Sequence, residues 1–173
     1  MLINAETGGL VMRYHNITKD DMLNGDGLRV VLWMAGCSHG CYKCQNPITW
    51  DPNGGLLFDE EAKAELFEAL GKSYTSGITF SGGDPLFLES RNDLLELVKE
   101  IKEKFPTKTM WLYTGYLWEE VKELEIVSYL DVLVDGKFIY EQLDPTLLWK
   151  GSSNQRVIDV QETLSMGKVV LHA

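Results

Sequence analysis

The chain has 173 residues, of which 45% are hydrophobic and 24% are charged, as is typical of one globular domain with a buried core. Its formal net charge of −10 leaves no basic surface for phosphate groups, so neither a nucleic-acid partner nor an anionic membrane surface is expected. The longest apolar run, residues 30–36, is far shorter than the roughly 20 residues that span a bilayer.

The chain contains three cysteines, Cys37, Cys41 and Cys44. Residues 1–9 lack the basic and apolar segments of a signal peptide. An odd number of thiols without an export signal is typical of a reducing compartment, so we expect a cytoplasmic protein with free thiols.

Short apolar runs alternate with longer amphipathic segments along the chain. Residues 28–34 (LRVVLWM) lie between two glycines and are typical of a buried strand. Residues 59–70 begin with acidic side chains, and residues 92–105 end at Pro106; both place apolar residues on one face, as helices do. In chain order, the pattern predicts a strand at 28–34, a helix at 59–70, a strand at 77–81, a helix at 92–105, a strand at 109–113, a helix at 117–124, a strand at 131–134, and two further candidate strands at 156–160 and 168–171.

This alternation of strand and helix indicates the α/β class, with parallel strands joined by right-handed crossovers. No repeat, low-complexity segment or linker divides the sequence, so residues 1–173 are expected to form one domain. A complete eight-stranded barrel typically needs about 250 residues, so a partial (open) parallel barrel or an open parallel sheet fits better.

Four loops with unusual residues follow the carboxyl ends of predicted strands. They are the cysteine loop (residues 36–47, GCSHGCYKCQNP), the double-glycine loop (residues 81–85, SGGDP), the Thr-Gly-Tyr loop (residues 114–116) and residues 135–137 (DGK). Because ligands bind at the carboxyl edge of parallel strands, we expect these loops to share one face. Taken alone, the last three are also compatible with ordinary turns, since Gly, Asp and Pro favour turns.

The cysteines follow the spacing C-x3-C-x2-C, which allows their thiolates to converge on one inorganic centre. A structural zinc site usually takes four ligands from two separated pairs, and His39 lies inside the same tight loop, where we expect an exposed side chain that is not a ligand. Three thiolates can hold a four-iron cluster and leave one iron open to a substrate. Buried structural thiols, or a disulfide with one spare thiol, would also account for three neighbouring cysteines.

The cysteine spacing resembles that of the radical S-adenosylmethionine (SAM) enzymes. Five flanking segments narrow the resemblance to the activating subunits of anaerobic ribonucleoside-triphosphate reductases: NGDGLRVVLWMAGCSHGCYKCQNPITW, SGGDPL, WLYTGYLWEE, DVLVDGKF and WKGSSNQRVIDV. The resemblance covers residues 24–160, with the motifs in the same order. It implies the partial parallel β/α barrel of the radical SAM type.

The resemblance also implies a chemistry. Cys37, Cys41 and Cys44 would hold a 4Fe-4S cluster whose open iron binds SAM. An electron from a low-potential donor such as flavodoxin would cleave SAM to methionine and a 5′-deoxyadenosyl radical. That radical would take a hydrogen atom from a glycine of the large catalytic subunit of the reductase, while the protein binds and orients the cofactors.

Residues of three loops would form the cofactor-binding site that the resemblance implies. In the double-glycine loop, Gly82 and Gly83 would bind the methionine amino group, and Asp84 replaces the Glu that is common among radical SAM enzymes. The remaining predicted contacts to SAM are Lys43, Cys44, Gln45 and Thr114. Lys43 stands where many of these enzymes have an aromatic residue against adenine.

Two other functions fit parts of this pattern. One is a small radical SAM enzyme that acts on a small molecule, such as a deazapurine carboxylate synthase. The other is a non-enzymatic module with a structural zinc. A brown, oxygen-sensitive protein would separate both radical SAM functions from the colourless zinc module.

Overall fold

The computed structural model describes residues 12–173, which form a seven-stranded sheet with helices packed against it. The strands are β1 (Arg13–Asp21), β2 (Arg29–Met34), β3 (Leu56–Leu57), β4 (Gly77–Gly82), β5 (Thr109–Tyr113), β6 (Val132–Asp135) and β7 (Arg156–Asp159). The α-helices are α1 (Glu60–Leu70), α2 (Arg91–Lys104), α3 (Trp118–Val121) and α4 (Val160–Met166). Among residues 12–173, every helix is too short or too polar to span a bilayer.

The strand order across the sheet is β3-β1-β2-β4-β5-β6-β7, and the central strands β2, β4, β5 and β6 run parallel. The sheet is open, with β3 and β7 at its edges, so the predicted α/β class is confirmed. The expectation of parallel strands is wrong for β7, which pairs antiparallel with β6. Strands β1 and β3, which were not predicted, also pair antiparallel with their neighbours. The connections from β1 to β2 and from β6 to β7 contain no α-helix, and parallel neighbours need such a crossover.

Most predicted elements are present with small shifts at their ends, but two differ, and β1, β3 and α4 were not predicted. The predicted strand at 168–171 is wrong, since this stretch forms only an isolated bridge between Leu171 and Ile158. The predicted helix at 117–124 is the single turn α3, followed by a 3-10 turn over Glu125–Tyr129. Strand β1 was not predicted, because Ile17 is its one buried residue and its apolar signal is therefore weak.

The main core lies between the sheet and the helices α1 and α2. Alternate residues of the central strands, such as Leu32, Phe80 and Leu112, point into it and are fully buried. Asp59 caps the start of α1, because its carboxylate accepts a hydrogen bond from the Ala62 N–H at 2.9 Å. The apolar faces of α1 and α2 cover one side of the sheet.

The other face of the sheet is only partly covered. Trp111 of β5 and Val132 and Val134 of β6 form a small buried cluster there, and Tyr113 and Trp149 pack against it. No α-helix of the described residues contributes to this cluster. This face therefore leaves room for a cavity toward the carboxyl ends of the strands.

Candidate functional site

A cavity of about 450 Å³ opens at the carboxyl ends of the parallel strands. All four loops singled out in the sequence line it, which confirms that they share one face. They contribute Cys37, Cys41 and Cys44; Ser81, Gly82, Gly83 and Asp84; Thr114 and Gly115; and Gly136. The loops that the sequence pattern selected therefore form part of the cavity lining.

Backbone hydrogen bonds hold the cysteine loop at both ends. The Gly36 N–H donates to the Thr49 carbonyl at 2.8 Å, and the Cys37 N–H donates to the Trp50 carbonyl at 3.1 Å. Inside the loop, the Cys44 N–H donates to the Cys41 carbonyl at 3.1 Å. The loop is thus closed on itself next to the end of β2.

All three cysteines are free and partly exposed. Burial raises the pKa of the Cys37 thiol, because the thiolate would lose solvation. Within residues 12–173, no group of three or more His, Cys, Asp or Glu side chains is already arranged as a metal centre. The donor set nevertheless fits an iron–sulfur cluster, since three thiols of one loop line one cavity.

The double-glycine loop packs directly against the start of the cysteine loop. A Cβ on Gly83 would lie 2.4 Å from the Gly36 carbonyl oxygen, and a Cβ on Gly82 would lie 2.4 Å from the Met34 nitrogen. Gly82 also has a φ of +101°, which side chains rarely adopt. Gly83 is therefore needed for contact with the cysteine loop and Gly82 for contact with β2, in addition to any contact with a ligand.

The Asp84 carboxylate is 2% exposed and lies at the centre of a hydrogen-bond network. Its Oδ2 atom accepts from the Thr114 hydroxyl and from the Gly115 N–H, each at 2.9 Å, and its Oδ1 atom accepts from the Leu86 N–H at 2.9 Å. Nε2 of His39 also contacts Oδ2. The predicted cofactor-binding carboxylate is therefore already engaged by protein groups.

The expectation that His39 is an exposed loop residue is wrong. Its side chain is 7% exposed and lies between Asp84 and the ring of Tyr116, whose centroid is 4.7 Å away in an edge-to-face arrangement. The burial depends on partners far along the chain, which the local sequence of the loop does not reveal.

The predicted SAM contacts divide into two groups in the structure. Cys44, Gln45, Gly82, Gly83, Asp84 and Thr114 all line the cavity. Lys43 is exposed and does not line it; its ammonium group lies 4.2 Å from the ring centroid of Tyr140, on the connection between β6 and β7.

The connection between β6 and β7 forms a cavity wall that the sequence pattern did not assign. Gln155 organises this wall: its side-chain oxygen accepts from the Gly151 N–H at 2.9 Å, and its side-chain nitrogen donates to the Gly136 carbonyl at 3.0 Å. The Tyr113 hydroxyl donates to the Trp149 carbonyl at 2.6 Å. The sequence analysis used the segment WKGSSNQRVIDV from this region as part of the family resemblance, but it assigned no function to any residue of that segment.

Asp135, the first residue of the DGK loop, has a structural role in the described residues. Its buried carboxylate accepts from the Arg156 Nε at 3.0 Å and from the Trp118 N–H at 2.7 Å. These bonds join the end of β6 to α3 and β7. Gly136, the next residue, lines the cavity.

Comparison with known proteins agrees with this site. A family model described as a 4Fe-4S single cluster domain matches residues 23–158, which include the cysteines and all four loops. The fold and the site therefore define an iron–sulfur domain protein. The relatives named anaerobic ribonucleoside-triphosphate reductase-activating protein include one phage protein and several bacterial proteins. The protein of Enterobacteria phage T4 is 46% identical over 84% of this chain and 93% of its own length.

Two bacterial relatives with the same name are similar over nearly their whole length. The protein of Salmonella typhi is 41% identical, and that of Escherichia coli K12 is 39% identical, each over 84% of this chain and 97% of the relative. The chain belongs to the family of anaerobic ribonucleoside-triphosphate reductase-activating proteins.

Proposed function

We propose that this protein is a radical SAM enzyme that generates a glycyl radical on the large catalytic subunit of anaerobic ribonucleoside-triphosphate reductase. The observation that carries the proposal is the meeting of the cysteine loop and the double-glycine loop at one cavity. Membership in the activating-protein family supports the choice of reductase as partner.

Cys37, Cys41 and Cys44 are the proposed ligands of a 4Fe-4S cluster, through one thiolate each. When bound and reduced by a low-potential donor such as flavodoxin, the cluster would supply the one electron that splits SAM into methionine and a 5′-deoxyadenosyl radical. The partner's glycine would give up one hydrogen atom, so that 5′-deoxyadenosine and a glycyl radical are the products.

The residues of the cavity have distinct parts in this proposal. Gly82 and Gly83 expose backbone groups, which suits close approach of the methionine part of SAM. Gln45 and Thr114 present polar side chains to the same cavity. Lys43 is also a proposed contact to SAM, although its side chain lies against Tyr140 and the residue does not line the cavity.

Two residues that the resemblance assigned to SAM binding remain: Cys44, which is also a proposed cluster ligand, and Asp84. Each carboxylate oxygen of Asp84 already accepts hydrogen bonds from protein groups. Its proposed contribution to SAM binding is therefore to hold the double-glycine loop in shape.

The partner is also proposed to complete the site. We take residues 1–173 as one radical SAM domain with a partial barrel, and the sheet that the structure describes is open between β3 and β7. A carbon radical must be shielded from water and competing hydrogen donors. A segment of the reductase that carries the glycine would close the cavity and bring the Cα hydrogen to the radical.

The test is an assay of SAM cleavage and glycyl-radical formation under anaerobic conditions. The reduced protein should convert SAM to 5′-deoxyadenosine, measured by chromatography, and should produce a glycyl radical on the intact partner, measured by electron paramagnetic resonance. A partner that lacks its glycine segment serves as the control and should show no radical.

Three results would contradict the proposal. Absence of 5′-deoxyadenosine with the partner present would exclude radical SAM chemistry, and a colourless protein with bound zinc would favour a structural module. SAM cleavage without a radical on the intact partner would exclude the proposed substrate and favour a small molecule.

A further inference from the structure

Three cavity loops meet at one buried polar contact, which the proposed chemistry does not itself require. His39 comes from the cysteine loop, Asp84 from the double-glycine loop, and Gly115 from the Thr-Gly-Tyr loop. These loops follow three different strands, β2, β4 and β5. The contact therefore joins segments that are adjacent in the sheet and distant in the sequence.

The His39 ring is enclosed on several sides. Asp84 contacts its Nε2 atom, and Tyr116 packs against the ring edge-to-face. A Cβ added to Gly115 would lie 2.5 Å from Cδ2 of His39, so the ring also packs against the Gly115 backbone. With 7% of its side chain exposed, His39 is held in one place.

The Asp84 carboxylate makes this contact strong and directional. It is buried, and a buried carboxylate is stable only when protein groups donate hydrogen bonds to it. The Thr114 hydroxyl and the N–H groups of Gly115 and Leu86 supply three such bonds, and His39 adds the one from the cysteine loop.

We propose that His39 is a positioning residue that, through Asp84, holds the cysteine loop at a fixed place relative to the two SAM-binding loops. This inference rests on the proposed function, since it concerns the alignment of the cluster ligands with the proposed SAM site. His39 does not ligate the cluster and does not touch SAM in this role. Instead, His39 sets the distance between the cluster and SAM and limits how much that distance varies.

Other hydrogen bonds of the cysteine loop do not involve His39, and they indicate what should remain when this side chain is removed. The cysteine loop keeps its backbone bonds to Thr49 and Trp50, and the Asp84 N–H still donates to the Gly36 carbonyl at 2.8 Å. A variant without the His39 side chain should therefore keep its fold and its three thiols. The middle of the cysteine loop should lose its contact with the double-glycine loop and the Thr-Gly-Tyr loop. Small misplacement of reacting groups is costly to rate, by about 100-fold for a displacement near 1 Å.

The experiment compares His39→Ala, His39→Gln and Gly115→Ala with the wild-type protein. Gln retains a side-chain N–H that can reach a carboxylate, so this variant should recover much of the function. Gly115→Ala keeps the His39 side chain but adds a methyl group that collides with its ring. This variant therefore disturbs the contact between His39 and Asp84 without removing either side chain. The matched control is His172→Gln, because His172 contacts Asp26 at 2.6 Å and neither residue lines the cavity.

Four measurements separate positioning from ligation. Iron and sulfide content should stay near the wild-type value in every variant. In His39→Ala and Gly115→Ala, the SAM-induced change in the spectrum of the reduced cluster should need about tenfold more SAM, and cleavage should slow by about 100-fold. In the metal-free protein, amide hydrogen exchange at Gly115 and Leu86 should be about tenfold faster in His39→Ala.

Two outcomes overturn the inference. Loss of iron in His39→Ala, as expected for a ligand, assigns His39 to the cluster itself. Unchanged amide exchange and unchanged SAM affinity in His39→Ala show that the contact positions nothing. If the wild-type protein does not cleave SAM, the proposed function fails, while amide exchange in the metal-free protein still decides whether His39 orders the loops.

Discussion

The thiols of Cys37, Cys41 and Cys44 are the side chains on which the proposed chemistry depends most directly. They are free, and they line one cavity at the carboxyl edge of the sheet. The chain has no further cysteine that could substitute for any of them. Each thiol should therefore be individually necessary for a cluster with three protein ligands.

Replacing any one of these cysteines by Ala should abolish stable cluster assembly, because two thiolates leave two irons without a protein ligand. Iron and sulfide would be measured after anaerobic reconstitution, with Ser38→Ala, an exposed position of the same loop, as the control. Full iron content in all three single variants would contradict the ligand assignment.

Gly83 is constrained by its neighbours more than by its own backbone conformation. The space where a side chain would begin is already taken by the Gly36 and Thr49 carbonyl oxygens, at 2.4 and 2.8 Å from an ideal Cβ. The collision is with backbone, which cannot move aside as a flexible side chain can. A substitution here should therefore shift the two loops apart.

Gly83→Ala should lower the free energy of unfolding by about 1–3 kcal/mol, as overpacking usually does, and should also weaken SAM binding. Urea denaturation of the metal-free protein measures the first effect. Gly71→Ala is the matched control, because a Cβ at Gly71 has its nearest contact at 3.4 Å. Wild-type stability in Gly83→Ala would show that the loops can separate at no cost.

At the scale of elements, Asp135 connects the end of β6 to α3 and β7. Its carboxylate accepts hydrogen bonds from Trp118 at the start of α3 and from Arg156 at the start of β7. Glu119 of α3 binds the same guanidinium from the exposed side, at 3.0 Å. These side-chain bonds raise the pKa of Arg156, with Asp135 as the larger contribution.

Asp135→Ala should lower the free energy of unfolding by about 3 kcal/mol, because it leaves the Trp118 N–H and part of the Arg156 guanidinium without a partner. Glu119→Ala removes only the exposed half of the arrangement and should cost less than about 1 kcal/mol. Urea denaturation of both variants makes the comparison. Equal losses would show that burial of Asp135 adds nothing.

At the scale of the whole molecule, the acidic composition affects how the protein associates with its partner. The net charge is −10, so a docking surface of opposite charge would be favoured on the large subunit. Salt screens such attraction, since the Debye length falls from about 10 Å at 0.1 M to about 3 Å at 1 M. Association with the partner should therefore depend on ionic strength.

Raising the salt from about 0.1 to 0.5 M should lower the initial rate of glycyl-radical formation several-fold, because charge complementarity acts mainly on association. Electron paramagnetic resonance measures the radical at each salt concentration. Cleavage of SAM by the protein without its partner is the control and should change little. A rate of radical formation that rises or stays constant with salt would contradict the electrostatic part of the proposal.

The sequence by itself determined the central strands, the two long helices and the loops at one edge of the sheet. Each of these signals is local: apolar runs for the strands, one-sided apolar patterns for α1 and α2, and clustered Cys or Gly in the loops. The spacing of the cysteines is also local, which is why the sequence alone predicts a loop of the cluster-binding type.

Only the tertiary structure decided the remaining features. The position of β1 depends on hydrogen bonds to β2 and β3, because its own residues are mostly only partly buried. The burial of His39 depends on Asp84, 45 positions away, and on Tyr116, so the loop sequence alone left it exposed. Contacts between distant residues form only once the strands place their loops side by side, and no local pattern encodes them.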